Sequence, residues 1–302
     1  MHISVLGPIE VRRADGPVDL GVRKQRALLA ALVLAGGRAV SAPALVDQLW
    51  GDDAPPGALG TLQSYVSGLR RAVEPARESR STGGVVATTD AGYVLDVAPD
   101  ALDAVTFERA VAAARLALGP TAHDLLARAE PPDLDRARRE LAAARAAWRG
   151  TPYAELGDAP RAVAERARLT ELRLVADELE AVVRLRDGDH AALAADLERA
   201  TGEHPLRERL WALRVLALAR AGRQADALAA AREVRGVLAE ELGVDPGPEL
   251  RQVEEAVLRQ DPVLTWSPAA APARHELPTA AGAAWPLVGR DRELARLTGL
   301  LD

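Results

Sequence analysis

The sequence predicts a mainly α-helical protein with a small β component, and three observations support that class. Residues 3–20 contain three short β-rich runs separated by Gly-Pro and Asp-Gly-Pro turns, and three amphipathic helices follow them. Two further β-rich runs flank Asp90-Ala91-Gly92, which is typical of a hairpin. From Leu102 to about Gln260, apolar residues recur at helical spacing in one segment after another. We therefore expect two domains, over residues 1–99 and 100–262, of which the second is all helical.

The first domain is expected to begin with three strands and two helices, each ended by glycine or proline. Ser41 precedes the second helix and is a suitable N-cap. Trp50 ends that helix on its apolar face, so we expect its ring to pack inward. The predicted strands are Ile3–Leu6, Ile9–Arg12 and Val18–Leu20, and the helices are about Val22–Ala35 and Ala42–Trp50.

Three cations lie in the first turn of the first helix: Arg23, Lys24 and Arg26. The helix macrodipole disfavours positive charge at this end. The cluster is either a solvated feature without a role or a contact to phosphate or to a partner protein. Both interpretations stay open at this point.

The third helix is predicted over Ala58–Val73, and its two faces differ sharply. Its apolar stripe consists of Leu59, Leu62, Val66, Leu69 and Val73. The opposite face and its flank have no carboxylate and carry Thr61, Gln63, Ser64, Ser67, Gly68, Arg70 and Arg71. Such a face can approach a phosphate backbone while hydroxyls, an amide and guanidiniums reach base edges. The alternative is an ordinary amphipathic surface helix.

A hairpin is predicted directly after this third helix, over Val85–Thr89 and Tyr93–Val97. A small sheet, three helices and a hairpin in this order define a winged helix-turn-helix domain. In such a domain the third helix enters the major groove and the hairpin contacts the neighbouring backbone or minor groove. Thr88, Thr89 and Tyr93 are the predicted contacts of this wing.

The second domain is predicted as a stack of helices. The segment over residues 206–243 forms a helical hairpin that turns at Ala221-Gly222-Arg223, with Trp211, Leu213 and Leu216 filling its core. It is similar to a tetratricopeptide repeat, although the period is clear only once. The stack is either simply structural or an interaction module. The predicted helices are Val105–Leu116, Leu134–Trp148, Arg161–Arg186, Ala191–Thr201, Arg207–Ala221, Gln224–Leu242 and Glu249–Arg259.

Composition excludes several classes of protein. The formal charge of −6 falls entirely after residue 99, so it does not argue against nucleic-acid binding by the first domain. With no cysteine, no long apolar run and no signal-peptide pattern, we expect a cytoplasmic protein without disulfides and without a membrane partner. There is no Walker A loop, no Gly-x-Ser-x-Gly motif and no histidine pair at metal-ligand spacing. We expect no enzyme, cofactor or metal site.

The chain resembles the SARP family, the actinobacterial antibiotic regulatory proteins, whose winged helix is related to the OmpR type. The residues that carry the resemblance are VLGPIEV, GVRKQRALLAALVLAGGRAVS, LVDQLWGDDAPP, TLQSYVSGLRRAV and GYVLDV. The helical hairpin and the following LGVDPGPEL resemble the bacterial transcriptional activator domain of the same proteins. This resemblance implies DNA binding by Ala58–Val73, activation of transcription, and protomers held side by side on repeated half-sites. Gly68 departs from the family pattern, in which a larger, often basic residue is common, so no contact is assigned to it.

The loop between the second and third helices allows two interpretations. The residue types alone justify a helix stop followed by a rigid turn. The resemblance implies in addition that this loop lies near RNA polymerase during activation. Its residues are Asp52, Asp53, Ala54, Pro55 and Pro56.

Two further segments are predicted at the C-terminal end. Residues 263–285 are rich in proline and alanine, as in a linker. Residues 286–302 contain LVGRDREL, which resembles the start of the nucleotide-binding ATPase domain of long SARP regulators. We expect either an ATPase domain that is truncated here or a short natural chain that ends here.

The sequence therefore predicts a DNA-binding transcriptional activator that binds direct repeats in double-stranded DNA and recruits RNA polymerase holoenzyme, as a side-by-side homodimer, for antibiotic biosynthesis genes. The alternative is a helical-repeat scaffold with weak or no specific DNA binding. The predicted DNA contacts are Thr61, Gln63, Ser64, Ser67, Arg70, Arg71, Arg23, Lys24, Arg26, Thr88, Thr89 and Tyr93.

Overall fold

The computed structural model describes residues 1–75, 84–127 and 131–266. It confirms the predicted class, because a winged helix-turn-helix domain precedes a helical domain. The strands are β1 His2–Ser4, β2 Glu10–Arg13, β3 Gly16–Pro17, β4 Val86–Thr89 and β5 Gly92–Leu95. The helices are α1 Arg23–Leu34, α2 Ala42–Trp50, α3 Ala58–Val73, α4 Asp103–Leu118, α5 Leu134–Ala147, α6 Pro160–Asp187, α7 His190–Glu203, α8 Glu208–Arg220, α9 Gln224–Leu242 and α10 Pro248–Arg259.

The N-terminal sheet is antiparallel in the order β1-β2-β3, and its first pair places Ile3 opposite Val11. Both side chains are buried beneath the sheet. Strand β1 ends at Ser4 rather than at the predicted Leu6, because the amides of Val5 and Leu6 bond to the helical domain instead. The third strand is Gly16–Pro17 rather than 18–20, and its pairing ends with the Val18 N–H on the Val11 carbonyl.

The three helices of the first domain share one core, built from Leu28, Leu32, Leu45 and Leu69 among others. Helix α2 begins as predicted, since the Ser41 hydroxyl accepts the N–H of Ala44 at 3.3 Å. Packing against α1 and α2 determines which residues of α3 are buried. The remaining residues form its outer face.

The prediction that Leu59 belongs to the buried stripe of α3 is wrong, because its side chain is 52% exposed. The buried positions are instead Ala58, Leu62, Val66, Leu69 and Val73. These follow one another at steps of four, four, three and four residues. Since neighbouring residues on a helix are rotated by about 100°, burial of Ala58 turns Leu59 outward.

The wing is the β4–β5 hairpin, joined by the two-residue turn Asp90-Ala91. Val40 pairs with the hairpin as an isolated antiparallel bridge. The Val40 N–H donates to the Tyr93 carbonyl at 2.8 Å, and the Tyr93 N–H donates to the Val40 carbonyl at 2.9 Å. Gly92 has a φ of +131°, and a Cβ at this position would lie 2.1 Å from the Val40 carbonyl oxygen. Only glycine fits here, so the wing is held firmly against the connection between α1 and α2.

In the helical domain, α8 lies between α7 and α9, and α10 packs against α8. Trp211, Leu213 and Leu216 are buried as predicted. The Trp211 indole N–H donates to the Pro205 carbonyl at 2.8 Å, so this large ring leaves no polar atom unpaired.

The winged helix and the helical domain form one compact unit, over residues 1–266. The buried carboxylate of Asp103 accepts the N–H groups of Val5 at 2.7 Å and Leu6 at 3.1 Å. In return, the Leu6 carbonyl accepts the Arg149 N–H at 2.7 Å and the Val5 carbonyl accepts the Tyr153 N–H at 3.0 Å. The two predicted domains are therefore joined by backbone hydrogen bonds rather than by a flexible joint.

The prediction that a linker begins at residue 263 is wrong for its first residues. Pro262–Leu264 form a short 3₁₀ turn, and the Trp266 indole N–H donates to the Arg186 carbonyl at 3.1 Å. The helical domain extends to Trp266 because that ring packs against it. The rest of the predicted linker and the predicted ATPase segment lie outside the described residues.

Candidate nucleic-acid interface

The exposed face of α3 carries four of the predicted contacts: Gln63, Ser64, Ser67 and Arg71. Thr61 is half-buried at the edge of this face. The Ser64 hydroxyl donates to the Gly60 carbonyl at 3.1 Å, and the Ser67 hydroxyl donates to the Gln63 carbonyl at 2.9 Å. These bonds hold the short side chains against the helix and leave their oxygens free to accept. A duplex can therefore approach the α3 backbone closely.

The two adjacent arginines of α3 have different environments. Arg71 is exposed and forms no ion pair or hydrogen bond within the part of the chain that the structure describes. Arg70 is half-buried, and its guanidinium donates to the Val86 carbonyl at 2.8 Å and to the Thr88 hydroxyl at 2.6 Å. We revise Arg70 from a groove contact to the residue that ties α3 to the wing.

Lys24 is also revised, because its ammonium points inward. It donates to the Leu49 carbonyl at the end of α2 and lies 5.5 Å from the centroid of the Trp50 ring. On α3, the Tyr65 ring stacks on the Trp50 ring, with 6.2 Å between the ring centroids and an interplanar angle of 12°. These three side chains link α1, α2 and α3, so the structure places Lys24 in the packing between these helices. Trp50 is half-buried, consistent with the inward packing predicted for it.

The remaining cations of the first turn of α1 differ from Lys24. Arg23 is exposed, whereas Arg26 is half-buried and donates to the Gly21 carbonyl at 2.6 Å. Arg23 is therefore the member of this cluster that is best placed to meet a phosphate. The structure gives Arg26 a local role in closing the turn before α1.

The predicted wing contacts lie on both strands of the hairpin. Thr88 and Thr89 are exposed, and the Thr89 hydroxyl donates to the Gly92 carbonyl at 3.2 Å. Tyr93 is half-buried and packs against the core, so its ring supports the wing. The exposed part of the wing therefore consists of the two threonines and the Asp90-Ala91 turn.

The sequence pattern predicts that Gly68 faces outward. In the structure it lies instead at a contact between α3 and α1. A Cβ at residue 68 would lie 2.7 Å from the side-chain oxygen of Gln25 on α1. A larger residue at position 68 would therefore require the flexible Gln25 side chain to shift.

The loop from Asp52 to Pro56 is exposed along its whole length. Gly51–Asp53 form a 3₁₀ turn, the Pro55 carbonyl accepts the Ala58 N–H at 3.0 Å, and Gly57 has a φ of +80°. These features define the path of the turn, which presents two exposed carboxylates before the first turn of α3.

Sequence reasoning did not single out Arg13 and Tyr65. The Arg13 guanidinium donates to the Ala72 carbonyl at 2.8 Å, and its ion pair with Asp15 raises its pKa and lowers that of Asp15. It thus binds a free carbonyl at the C-terminal end of α3. Tyr65 carried one usable signal, an aromatic residue beside a polar helix face. The sequence held no such sign for Arg13, because the Ala72 carbonyl that it binds lies 59 residues away along the chain.

The described residues contain no group of three or more His, Asp or Glu side chains arranged to hold a metal ion. In the same part of the chain, no helix is long and apolar enough to cross a membrane.

Comparisons with known proteins identify the family. A family model described as "Transcriptional regulatory protein, C terminal" matches residues 17–95, and one described as "Bacterial transcriptional activator domain" matches residues 102–258. The regulatory protein DnrI of Streptomyces peucetius is 36% identical over 265 residues, which cover 87% of this chain and 93% of DnrI. The chain belongs to the SARP family of transcriptional regulators. Membership implies DNA binding, and it agrees with the resemblance seen in the sequence.

Other SARP relatives are longer than this chain. The regulatory protein AfsR of Streptomyces coelicolor is 38% identical over 265 residues, and the chain spans a quarter of its length. A solved structure of Mycobacterium tuberculosis EmbR with a low-affinity phosphopeptide superposes with a TM-score of 0.72 at 34% identity. That match covers 86% of this chain and 65% of EmbR. The order of winged helix and helical domain is thus shared with EmbR.

Proposed function

We propose that this SARP regulator activates transcription by binding direct repeats upstream of a promoter and recruiting RNA polymerase holoenzyme. In this proposal α3 enters the major groove and the wing contacts the neighbouring backbone. The observation that carries the proposal is the exposed face of α3, which offers hydroxyls, an amide and Arg71 without any carboxylate. The family supports DNA binding, and this face supports α3 as the element that reads the sequence.

The proposal gives the predicted contacts two kinds of role. Thr61, Gln63, Ser64, Ser67 and Arg71 reach base edges or phosphates, and Arg23, Thr88 and Thr89 contact the backbone. Lys24, Arg26, Arg70 and Tyr93 position these elements through the contacts described above. The same proposal, supported by the family, includes protomers that lie side by side on the repeats and meet through their helical domains. It also includes antibiotic biosynthesis genes as targets.

Genomic footprinting with the 302-residue chain tests DNA recognition. We expect protected regions that contain two half-sites in the same orientation near a promoter. The logarithm of the affinity should fall linearly with the logarithm of salt concentration, because the bound cations release counterions from the DNA. If the chain instead acts only as a helical-repeat scaffold, titrations will detect no salt-dependent affinity for DNA and no repeated footprint.

Replacing Asp52→Asn together with Asp53→Asn tests polymerase contact. We expect transcription from the footprinted promoter, measured in a reconstituted run-off assay, to fall about tenfold because two exposed charges at the loop are lost. Operator affinity should stay unchanged, since asparagine preserves the turn. Asp245→Asn, an exposed loop aspartate in the helical domain, is the control. Unreduced transcription by the double variant would limit this loop to its role as a rigid turn.

A further inference from the structure

A cavity of about 440 Å³ lies at one end of the helical domain, where α8 and α10 end. The segment Asp261–Trp266 forms one of its walls. Its volume is in the range of small-molecule sites. The lining combines two rings, two amides, an apolar side chain and a guanidinium: His190, Trp266, Gln224, Gln260, Leu264 and Arg220.

Arg220 is the unusual member of this lining. Its Nε atom is buried without a hydrogen-bond partner, and Arg220 forms no ion pair with any residue that the structure describes. Burial and the nearby charge of Arg186 lower the pKa of Arg220 to about 10, so the guanidinium remains charged at neutral pH. The residue as a whole is half-buried, and a partly buried charge without a counterion is less favourable than a paired one. The free protein thus holds an uncompensated positive charge at this cavity.

The other charged and titratable groups at the cavity do not neutralise Arg220. The Asp261 carboxylate accepts the Val263 N–H at 2.8 Å and thereby caps the turn that follows it. His190 is buried, burial lowers its pKa, and its Nε2 lies 3.1 Å from the Leu185 carbonyl, an arrangement that fits a neutral ring donating there. Among the described lining residues, Arg220 is therefore the cation that can pair with an anion, while the Asp261 carboxylate is engaged in its own turn.

The aromatic wall of the cavity is already in place. The Trp266 ring meets the His190 ring edge to face at 5.5 Å, and its N–H bonds to the Arg186 carbonyl. Gly188 provides the space, since a Cβ there would lie 2.6 Å from the indole ring. The Gln260 side-chain amide donates to the side-chain Oε1 of Gln224 at 3.1 Å, which orders the opposite side.

We propose that this cavity binds a small organic anion, whose carboxylate or phosphate pairs with Arg220 while its apolar part lies against Trp266 and Leu264. A guanidinium matches the geometry of both anionic groups with two parallel hydrogen bonds. Because Trp266 belongs to the wall, the bound anion also stabilises the docked position of Asp261–Trp266. This site is separate from the DNA-binding surface, so it does not depend on the proposed function.

Isothermal titration of the 302-residue chain with three probes tests the proposal. The probes are inorganic phosphate, benzoate and phenyl phosphate. Comparing inorganic phosphate with phenyl phosphate measures the contribution of the aromatic ring, and comparing benzoate with phenyl phosphate shows whether a carboxylate or a phosphate binds better. We expect phenyl phosphate or benzoate to bind about tenfold or more tightly than inorganic phosphate, because only they contact the aromatic wall. Arg220→Met should weaken that binding by about tenfold or more.

Two further variants keep the test decisive. Arg223→Met removes an exposed arginine of the same turn, which pairs with Asp226, and should leave affinity within about twofold of the unmodified chain. Trp266→Leu should remove the advantage of the aromatic probes over inorganic phosphate while Arg220 remains. The proposal is wrong if none of the probes binds the unmodified chain, or if Arg220→Met and Trp266→Leu both bind them with unchanged affinity.

Discussion

Replacing Thr61, Ser64 and Arg71 together by alanine is expected to abolish specific binding to the footprinted operator in a mobility-shift assay. The three side chains lie on the outer face of α3 and none is fully buried, so their removal leaves the core intact. Loss of a base contact costs about 1–3 kcal/mol. Loss of two or three such contacts costs at least about 2 kcal/mol, which lowers affinity by at least about thirtyfold and leaves mainly the nonspecific binding to phosphates.

Arg71→Ala alone should account for about 1–3 kcal/mol of this loss if the guanidinium reads a base. Arg139→Ala is the matched control, because Arg139 is an exposed arginine of α5 far along the chain from the recognition helix. Unchanged binding by Arg71→Ala would remove that residue from the interface. Unchanged binding by the triple variant would contradict the assignment of α3 as the recognition helix.

The second large effect is expected at the junction between the two domains, where Asp103→Ala should lower the free energy of unfolding by about 3 kcal/mol. Asp103 is 3% exposed, accepts the Val5 and Leu6 N–H groups, and lies 3.8 Å from the Arg149 guanidinium. Alanine would leave two buried N–H donors without their acceptor, whereas Arg149 would keep its ion pair with Glu10 at 2.8 Å. Urea denaturation followed by circular dichroism measures the change.

Asp100→Ala is the control for this prediction, since Asp100 precedes α4 by three residues and is exposed. Its substitution should change stability by less than about 0.5 kcal/mol. A loss of less than about 1 kcal/mol for Asp103→Ala would show that other contacts hold the junction.

Much of the fold follows from local sequence signals. The predicted bounds of α2, α3 and α9 agree with the structure at both ends. Each of these segments combines a 3.6-residue apolar period with glycine or proline close to an end. Strands β1 and β3 were less predictable, because their ends depend on hydrogen bonds to residues distant in the chain.

The candidate site was predictable as a surface but not residue by residue. Arg70 and Arg71 are adjacent and chemically identical, yet a rotation of about 100° around α3 sends one to the wing and the other to solvent. Lys24 shares a helical turn with Arg23, but the Leu49 carbonyl and the Trp50 ring draw it inward. These outcomes depend on neighbouring elements, so the residue pattern of one helix does not contain them.

The hydrogen bonds at the Asp103 junction have a consequence for the spacing of half-sites in the proposed DNA complex. Since the winged helix and the helical domain form one compact unit, two protomers that meet through their helical domains, as proposed, would hold their α3 helices at a fixed separation and a fixed angle. Half-sites then have to recur on the same side of the duplex, at multiples of about 10.5 base pairs. Inserting half a helical turn between them would present the second half-site to solvent, whatever its sequence.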